Sequence, residues 1–243
     1  WIKQVQKWKA MYKVAGETVT SEANTVDAIQ FSKAVSKAAQ TGERCVVDTG
    51  GTLTWFCQGF EVKDRQRIMS AWNFTPMGYA LPASVGVAIA TPGKRVVCVM
   101  GDGGLLLCLP EMATAARHQL PIKLFLYNNH CHGIQKHTLE TWLEGRFEGV
   151  DEKSGLCFPD FVLAAKSFGW NTLTVDSAER MDEQIRVALE TKGPVLVNVE
   201  ISPNQPMSPM LKFGRPLEDQ HPLLPRDEFE ANMMIPQVSL SQD

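Results

Sequence analysis

The 243-residue chain predicts an α/β fold, a parallel sheet with helices on both faces. Three observations carry that prediction. Runs such as 95–100 and 122–128 are short and almost continuously apolar, as strands buried on both faces are. Segments of helical periodicity separate these runs, so strand and helix alternate. Hydrophobic residues are 44% of the chain and charged residues 21%, which is enough apolar surface for one sizeable core.

Residues 1–14, WIKQVQKWKAMYKV, put Trp1, Val5, Trp8 and Tyr12 on one helical face, with Lys3, Lys7, Lys9 and Lys13 around it. Basic amphipathic helices can lie on membranes, but one short stripe is expected to dock on the protein's own body. Residues 15–25 form a polar linker. The pattern then predicts a helix at 26–39 and a strand at 44–48 ending in Thr49-Gly50-Gly51. A small-residue helix follows at 82–90, a strand at 95–100, a helix at 106–118 with Pro110 near its start, and a strand at 122–128. Helices at 161–168 and 178–191 and strands near 171–175 and 194–201 complete the alternation. Residues 202–225 are proline-rich and irregular, and 227–233 form a last short helix.

The 24 lysines and arginines stand against 27 acids, a net charge of −3, which argues against nucleic acid or a membrane as partner. Six cysteines make no C-x-x-C pair and several sit in apolar runs, as in a reduced cytoplasmic protein. The apolar runs are too short to cross a bilayer, and no signal peptide pattern is present. A chain that opens on Trp1 is expected to be the C-terminal part of a longer polypeptide.

The chemistry concentrates in two places. Gly101-Asp102-Gly103-Gly104 directly follows the strand at 95–100, and Asn128-Asn129 ends the strand at 122–128. The residues between leave room for one helix and a returning parallel strand. Asp102 and Asn129 then project from neighbouring strand ends into one crevice, where such sheets bind ligands. One carboxylate, one amide and a glycine-rich turn supply hard oxygen ligands and exposed N–H groups, which suits magnesium holding a diphosphate. A lone Gly-Asp-Gly is often an ordinary turn; its conjunction with Asn-Asn at this spacing is far more specific. His130, Cys131 and His132 could be read as a zinc cluster, but adjacent side chains diverge and no fourth ligand is suitably spaced.

With these residues the segment 96–133, VVCVMGDGGLLLCLPEMATAARHQLPIKLFLYNNHCHG, resembles the diphosphate-binding domain of thiamine-diphosphate-dependent enzymes, most nearly acetolactate synthases. Residues 73–90, NFTPMGYALPASVGVAIA, are similar to the stretch that passes under the cofactor in that family. The opening residues are similar to the end of its central domain. The resemblance implies three parts: 1–25 as the end of a preceding central domain and linker, 26–201 as the thiamine-diphosphate and magnesium-binding domain, and 202–243 as a tail, a lid over the cofactor or a surface wrap. It implies magnesium held by Asp102, Asn129 and the Cys131 carbonyl. It implies diphosphate contacts from Gly101, Gly103, Gly104, Gly133 and Ile134. Met77 would be the wedge that bends the cofactor, although its residue type alone fits plain core equally. The Thr75 carbonyl would meet the aminopyrimidine.

The implied reaction is decarboxylation of a 2-oxo acid such as pyruvate, leaving an enamine that adds to a carbonyl acceptor. The alternatives are a simple 2-oxo-acid decarboxylase, a non-catalytic cofactor-binding paralogue, and a dinucleotide oxidoreductase, for which no G-x-G-x-x-G follows a strand. The family's activating glutamate matches no position here. It is expected on an N-terminal pyrimidine-binding domain of the same or a neighbouring chain, in a homodimer or homotetramer. Gly51 and Thr52 stand where acetolactate synthases carry a Gln-His pair. His132, Gln135 and His137 follow the metal loop, with Gln135 the candidate substrate contact; a solvated helix position fits Gln135 equally.

Overall fold

The computed structural model describes residues 1–12, 22–211 and 214–237. Among them are ten α-helices: α1 (Ile2–Met11), α2 (Ala28–Ala38), α3 (Gly51–Gly59), α4 (Ala80–Ala90), α5 (Asp102–Cys108), α6 (Glu111–Arg117), α7 (Gly133–Trp142), α8 (Phe161–Ser167), α9 (Ala178–Glu190) and α10 (Arg226–Asn232). Six strands accompany them: β1 (Arg44–Val47), β2 (Arg67–Met69), β3 (Val96–Gly101), β4 (Ile122–Asn128), β5 (Asn171–Val175) and β6 (Val195–Glu200). The chain divides into two compact units, one of residues 16–205 and one of residues 1–15 with 206–243.

In the first unit all six strands form one parallel sheet in the order β2-β1-β3-β4-β6-β5. The chain builds β1, steps outward to β2, then returns past β1 to place β3 on its other side. That reversal makes the gap beyond the β1 and β3 carboxyl ends a topological switch point. Pairing of Val96 with Ile122 and of Gly101 with Tyr127 brings β3 and β4 to a close at the same level.

The apolar strands are buried on both faces, and their alternating side chains divide between two helical layers. Val96, Cys98, Met100, Leu124 and Leu126 pack with Leu81 of α4, Met112 of α6 and Phe161 of α8. On the other face Phe31 of α2 meets the rings of Phe125 and Tyr127 edge-on, at 5.5 and 5.6 Å between centroids. Two ring polar groups inside this core are paired: Tyr127 Oη bonds Ser32 Oγ at 2.8 Å, and Trp170 Nε1 donates to the Met112 carbonyl at 2.9 Å. Aspartates cap two helices, Asp27 accepting from Gln30 N on α2 and Asp160 from Leu163 N on α8.

In the second unit α1 and α10 meet through polar groups. Trp8 Nε1 donates to Asn232 Oδ1 at 2.7 Å, and Tyr12 Oη donates to Glu228 Oε1 at 2.7 Å. The face holding Trp8 and Tyr12 thus docks on another segment of the chain. Lys13, and the predicted linker as far as residue 21, lie outside the described residues. Among the described residues no helix is long and apolar enough to cross a membrane.

One predicted helix is split and three elements are additional. The helix predicted at 106–118 instead starts at Asp102 and is split into α5 and α6, with Pro110 at the second N-cap. Proline cannot donate the interior hydrogen bond, so the helix restarts there. Helices α3 and α7 and the three-residue edge strand β2 had no predicted counterpart. Gly51 and Gly59 bracket α3 with poor helix formers, and three residues are too few for any alternation to register.

At the opposite end of the sheet from the switch point, Lys123 is buried and donates to the carbonyls of Thr191 and Gly193. Burial, with the nearby Arg95 charge, lowers its pKa from 10.5 to about 8. Between those values the unfolded chain holds a proton that the native chain has released, so this residue's contribution to stability grows as pH rises. Urea unfolding of wild type and Lys123→Met is expected to show their stability difference shifting toward wild type, on the order of 1 kcal/mol, from pH 8 to pH 10.5. A pH-independent difference would contradict the lowered pKa.

Candidate functional site

The loops that leave β1, β3 and β4 converge on one cleft of about 310 Å³. Thr75, Met77, Gly101, Asp102, Gly103, Gly104, Asn129, Cys131, Gly133 and Ile134 all line it, and so do Asp48, Gly50, Gly51, Thr52, Trp55 and His132. Gln135 is not part of this lining; it is exposed on the first turn of α7.

Three buried oxygens meet where the β3 and β4 loops touch. The side-chain oxygen of Asn129 lies 3.3 Å from Asp102 Oδ2 and 3.0 Å from the Cys131 carbonyl oxygen, while its nitrogen donates to Cys131 Sγ at 3.2 Å. Oxygens so placed repel unless a proton or a cation lies among them. Turning the amide over would let its nitrogen donate to both oxygens. The present orientation instead gathers one carboxylate, one amide and one backbone carbonyl, a donor set for a hard cation. Asp102 is 2% exposed, and burial pushes its carboxyl up to about 7, partly offset by N–H groups of Gly103, His130 and Cys131.

Among the described residues no three His, Cys, Asp or Glu side chains group closely enough to hold a metal. His130, Cys131 and His132 therefore form no zinc cluster. His130 turns outward to Glu200, Nε2 to Oε2 2.8 Å, and that carboxylate raises its pKa. His132 faces the cleft, with its pKa lowered by burial.

Beside the oxygens three helices begin without side-chain caps: α3 at Gly50, α5 at Gly101 and α7 at His132. Uncapped first-turn N–H groups are suited to an anion. The glycines here leave no room for side chains. A Cβ on Gly103 would stand 2.5 Å from the His132 ring and 2.9 Å from Met77 Cε, and one on Gly104 2.5 Å from Asp48 Oδ2. Two residues of the surrounding loops, Thr75 at φ 38° and His130 at φ 56°, occupy the left-handed region that most side chains avoid.

Asp48 is the main residue that the sequence reading gave no role. Its buried carboxylate accepts from Thr49 N at 2.8 Å and Gly78 N at 3.0 Å, and from the backbone of Tyr79 and Ala80, so it anchors the start of α4. Burial nonetheless leaves its pKa raised. The available signal was Val47-Asp48-Thr49-Gly50-Gly51, an acid and glycines closing an apolar strand just as Gly101-Asp102-Gly103 does.

The family described as "Thiamine pyrophosphate enzyme, C-terminal TPP binding domain" matches residues 48–199, from the end of β1 into β6. The chain belongs to this family. Among curated proteins it is similar to the acetolactate synthase large subunit of Pyropia yezoensis, 28% identical over 88% of this chain and 35% of that protein. It is also 28% identical to the mitochondrial acetolactate synthase catalytic subunit of Saccharomyces cerevisiae, over 90% of this chain and 32% of that protein. Isozyme 1 of Escherichia coli is 27% identical over 74% of this chain and 32% of its large subunit. The chain thus spans about a third of the length of the curated relatives it matches. All the cleft-lining residues named above lie within the matched span.

Removing the Asp48 carboxylate strands several buried N–H groups. Asp48→Ala is expected to lower the free energy of urea unfolding by about 2–3 kcal/mol. A loss below about 0.5 kcal/mol would show that Asp48 does not anchor α4.

Proposed function

We propose that this domain holds the magnesium and diphosphate end of thiamine diphosphate in a carboligase acting on 2-oxo acids. The observation that carries the reading is the meeting of the Asp102 carboxylate, the Asn129 amide and the Cys131 carbonyl beside three uncapped helix starts. Cation and anion sites side by side fit a metal-bridged diphosphate and little else.

On this reading Asp102, Asn129 and the Cys131 carbonyl hold magnesium, and backbone N–H groups at Gly103, Gly104, Gly133 and Ile134 orient the diphosphate. Gly103 and Gly104 support this, because a Cβ at Gly103 would collide with His132 and Met77 of the cleft wall and one at Gly104 with Asp48, so only glycine lets this turn sit so close to its neighbours. Gly101 ends β3 against Thr52, its Cβ position 3.2 Å from Thr52 Oγ1, and sets the turn into α5. Met77 is 42% exposed in the cleft wall although apolar, which supports a wedge under a bound organic ring rather than a core role. The Thr75 carbonyl, on a strained turn, would meet the aminopyrimidine. Gln135, at the rim, would contact the substrate.

Bound there, thiamine diphosphate supplies the carbon nucleophile and the electron sink that release carbon dioxide from a 2-oxo acid. The residues of this chain bind and orient it, and the cleft walls of Trp55, Met77 and Ile134 exclude water from one side. A carbonyl compound would be the acceptor, and pyruvate is the 2-oxo acid suggested by the acetolactate synthase relatives. The activating glutamate belongs, on this reading, to an N-terminal pyrimidine-binding domain of the same or a neighbouring chain, within a homodimer or homotetramer. All six cysteines are free, which supports the cytoplasm as its compartment.

Calorimetric titration of the chain with thiamine diphosphate tests the reading. Affinity is expected to fall at least about 10-fold when chelator replaces magnesium, and to the same extent in Asp102→Ala with magnesium present. Equal affinity with and without the metal would refute a metal-bridged diphosphate.

A further inference from the structure

We propose that Glu200 is a positioning residue for the cation site, holding the loop of residues 129–131 in its ligating conformation through His130. The inference deepens the function proposed above and rests on the reading of Asp102, Asn129 and Cys131 as metal ligands.

His130 sits between the two residues that this loop contributes to the oxygen cluster. Its φ of 56° turns the chain so that Asn129 and the Cys131 carbonyl face Asp102. Few side chains favour that backbone region, so something outside the residue must hold it. Packing does not, because the imidazole is 56% exposed. Its Nε2 instead bonds Glu200 Oε2 at 2.8 Å.

The carboxylate that grips it is itself fixed. Glu200 ends β6, in register with Asn128 on the neighbouring strand. Its other oxygen accepts from Asn198 Nδ2 at 2.6 Å, and its carbonyl accepts from Val26 N at 2.8 Å. Ile201 N donates to the Asn128 carbonyl at 2.9 Å, closing the ladder just beyond. The rigid sheet thereby reaches across to a strained loop whose own residues supply two of three ligating oxygens. Cys131 is also bridged to Asp151, and His132 N donates to the Val150 carbonyl at 2.8 Å, so losing the latch loosens the turn at Asn129 and His130 rather than the whole loop. Partners that orient ligands in this manner commonly change metal affinity by 10- to 100-fold.

The test is Mn²⁺ binding, followed by electron paramagnetic resonance, to the full chain with thiamine diphosphate present. Glu200→Ala is expected to bind Mn²⁺ about 10-fold more weakly than wild type. Glu200→Gln keeps an oxygen for His130 and is expected to stay within about threefold. The distinguishing variant is His130→Gly, because glycine adopts positive φ without a partner. In that background Glu200→Ala is expected to cost less than about twofold. Wild-type affinity in Glu200→Ala, or an equal loss with and without His130, would overturn the latch. Failure of wild type itself to bind Mn²⁺ would overturn the metal-site reading and the latch with it.

Discussion

Three oxygens gathered in a buried corner of the molecule set the terms for everything around them. Asp102 Oδ2 and the Cys131 carbonyl lie buried around the Asn129 amide, which meets them with its oxygen when a cation lies among them and with its nitrogen when none does. Burial pushes the Asp102 carboxyl up to about 7, so this corner favours whatever neutralises its charge. The sheet must hold these groups together at its strand ends.

Parallel topology does this holding. β3 and β4 end at the same level, so the loops beyond them touch, and the reversal between β1 and β3 leaves a crevice alongside. α3, α5 and α7 all start at that crevice, which brings three helix N-termini without side-chain caps beside the oxygens. Asp48 fixes the start of α4 from below, and Gly103 and Gly104 keep side chains out of the space. One arrangement of strand ends therefore brings the oxygen cluster and the helix starts together, within residues 48–199 that match the thiamine pyrophosphate family.

Much of this was legible in residue order. Val-Val-Cys-Val-Met and Ile-Lys-Leu-Phe-Leu-Tyr announce buried strands because few other structures tolerate such runs, and the Gly-Asp-Gly and Asn-Asn that close them mark the crevice. Thr75 and Met77 were legible only through family resemblance, since no local pattern ties them to Asp102. Asp48 escaped because its role depends on Gly78, thirty residues on, which reaches it only after folding. Helix α5 was hidden by its own glycines, poor helix formers that read as a turn. The lining of the cleft by His132 but not Gln135 depends on the direction in which α7 leaves its N-cap, which the sequence alone does not encode locally.

The central claim is that the oxygen cluster holds a divalent cation against a diphosphate. Anomalous diffraction from crystals of the chain grown with Mn²⁺ and thiamine diphosphate tests it most directly. The account predicts one manganese peak at roughly 2.0–2.4 Å from Asp102, from the Asn129 amide oxygen and from the Cys131 carbonyl, in contact with phosphate oxygens. Thiamine diphosphate bound in the cleft with no manganese there, or with the Asn129 nitrogen turned toward Asp102, would contradict it.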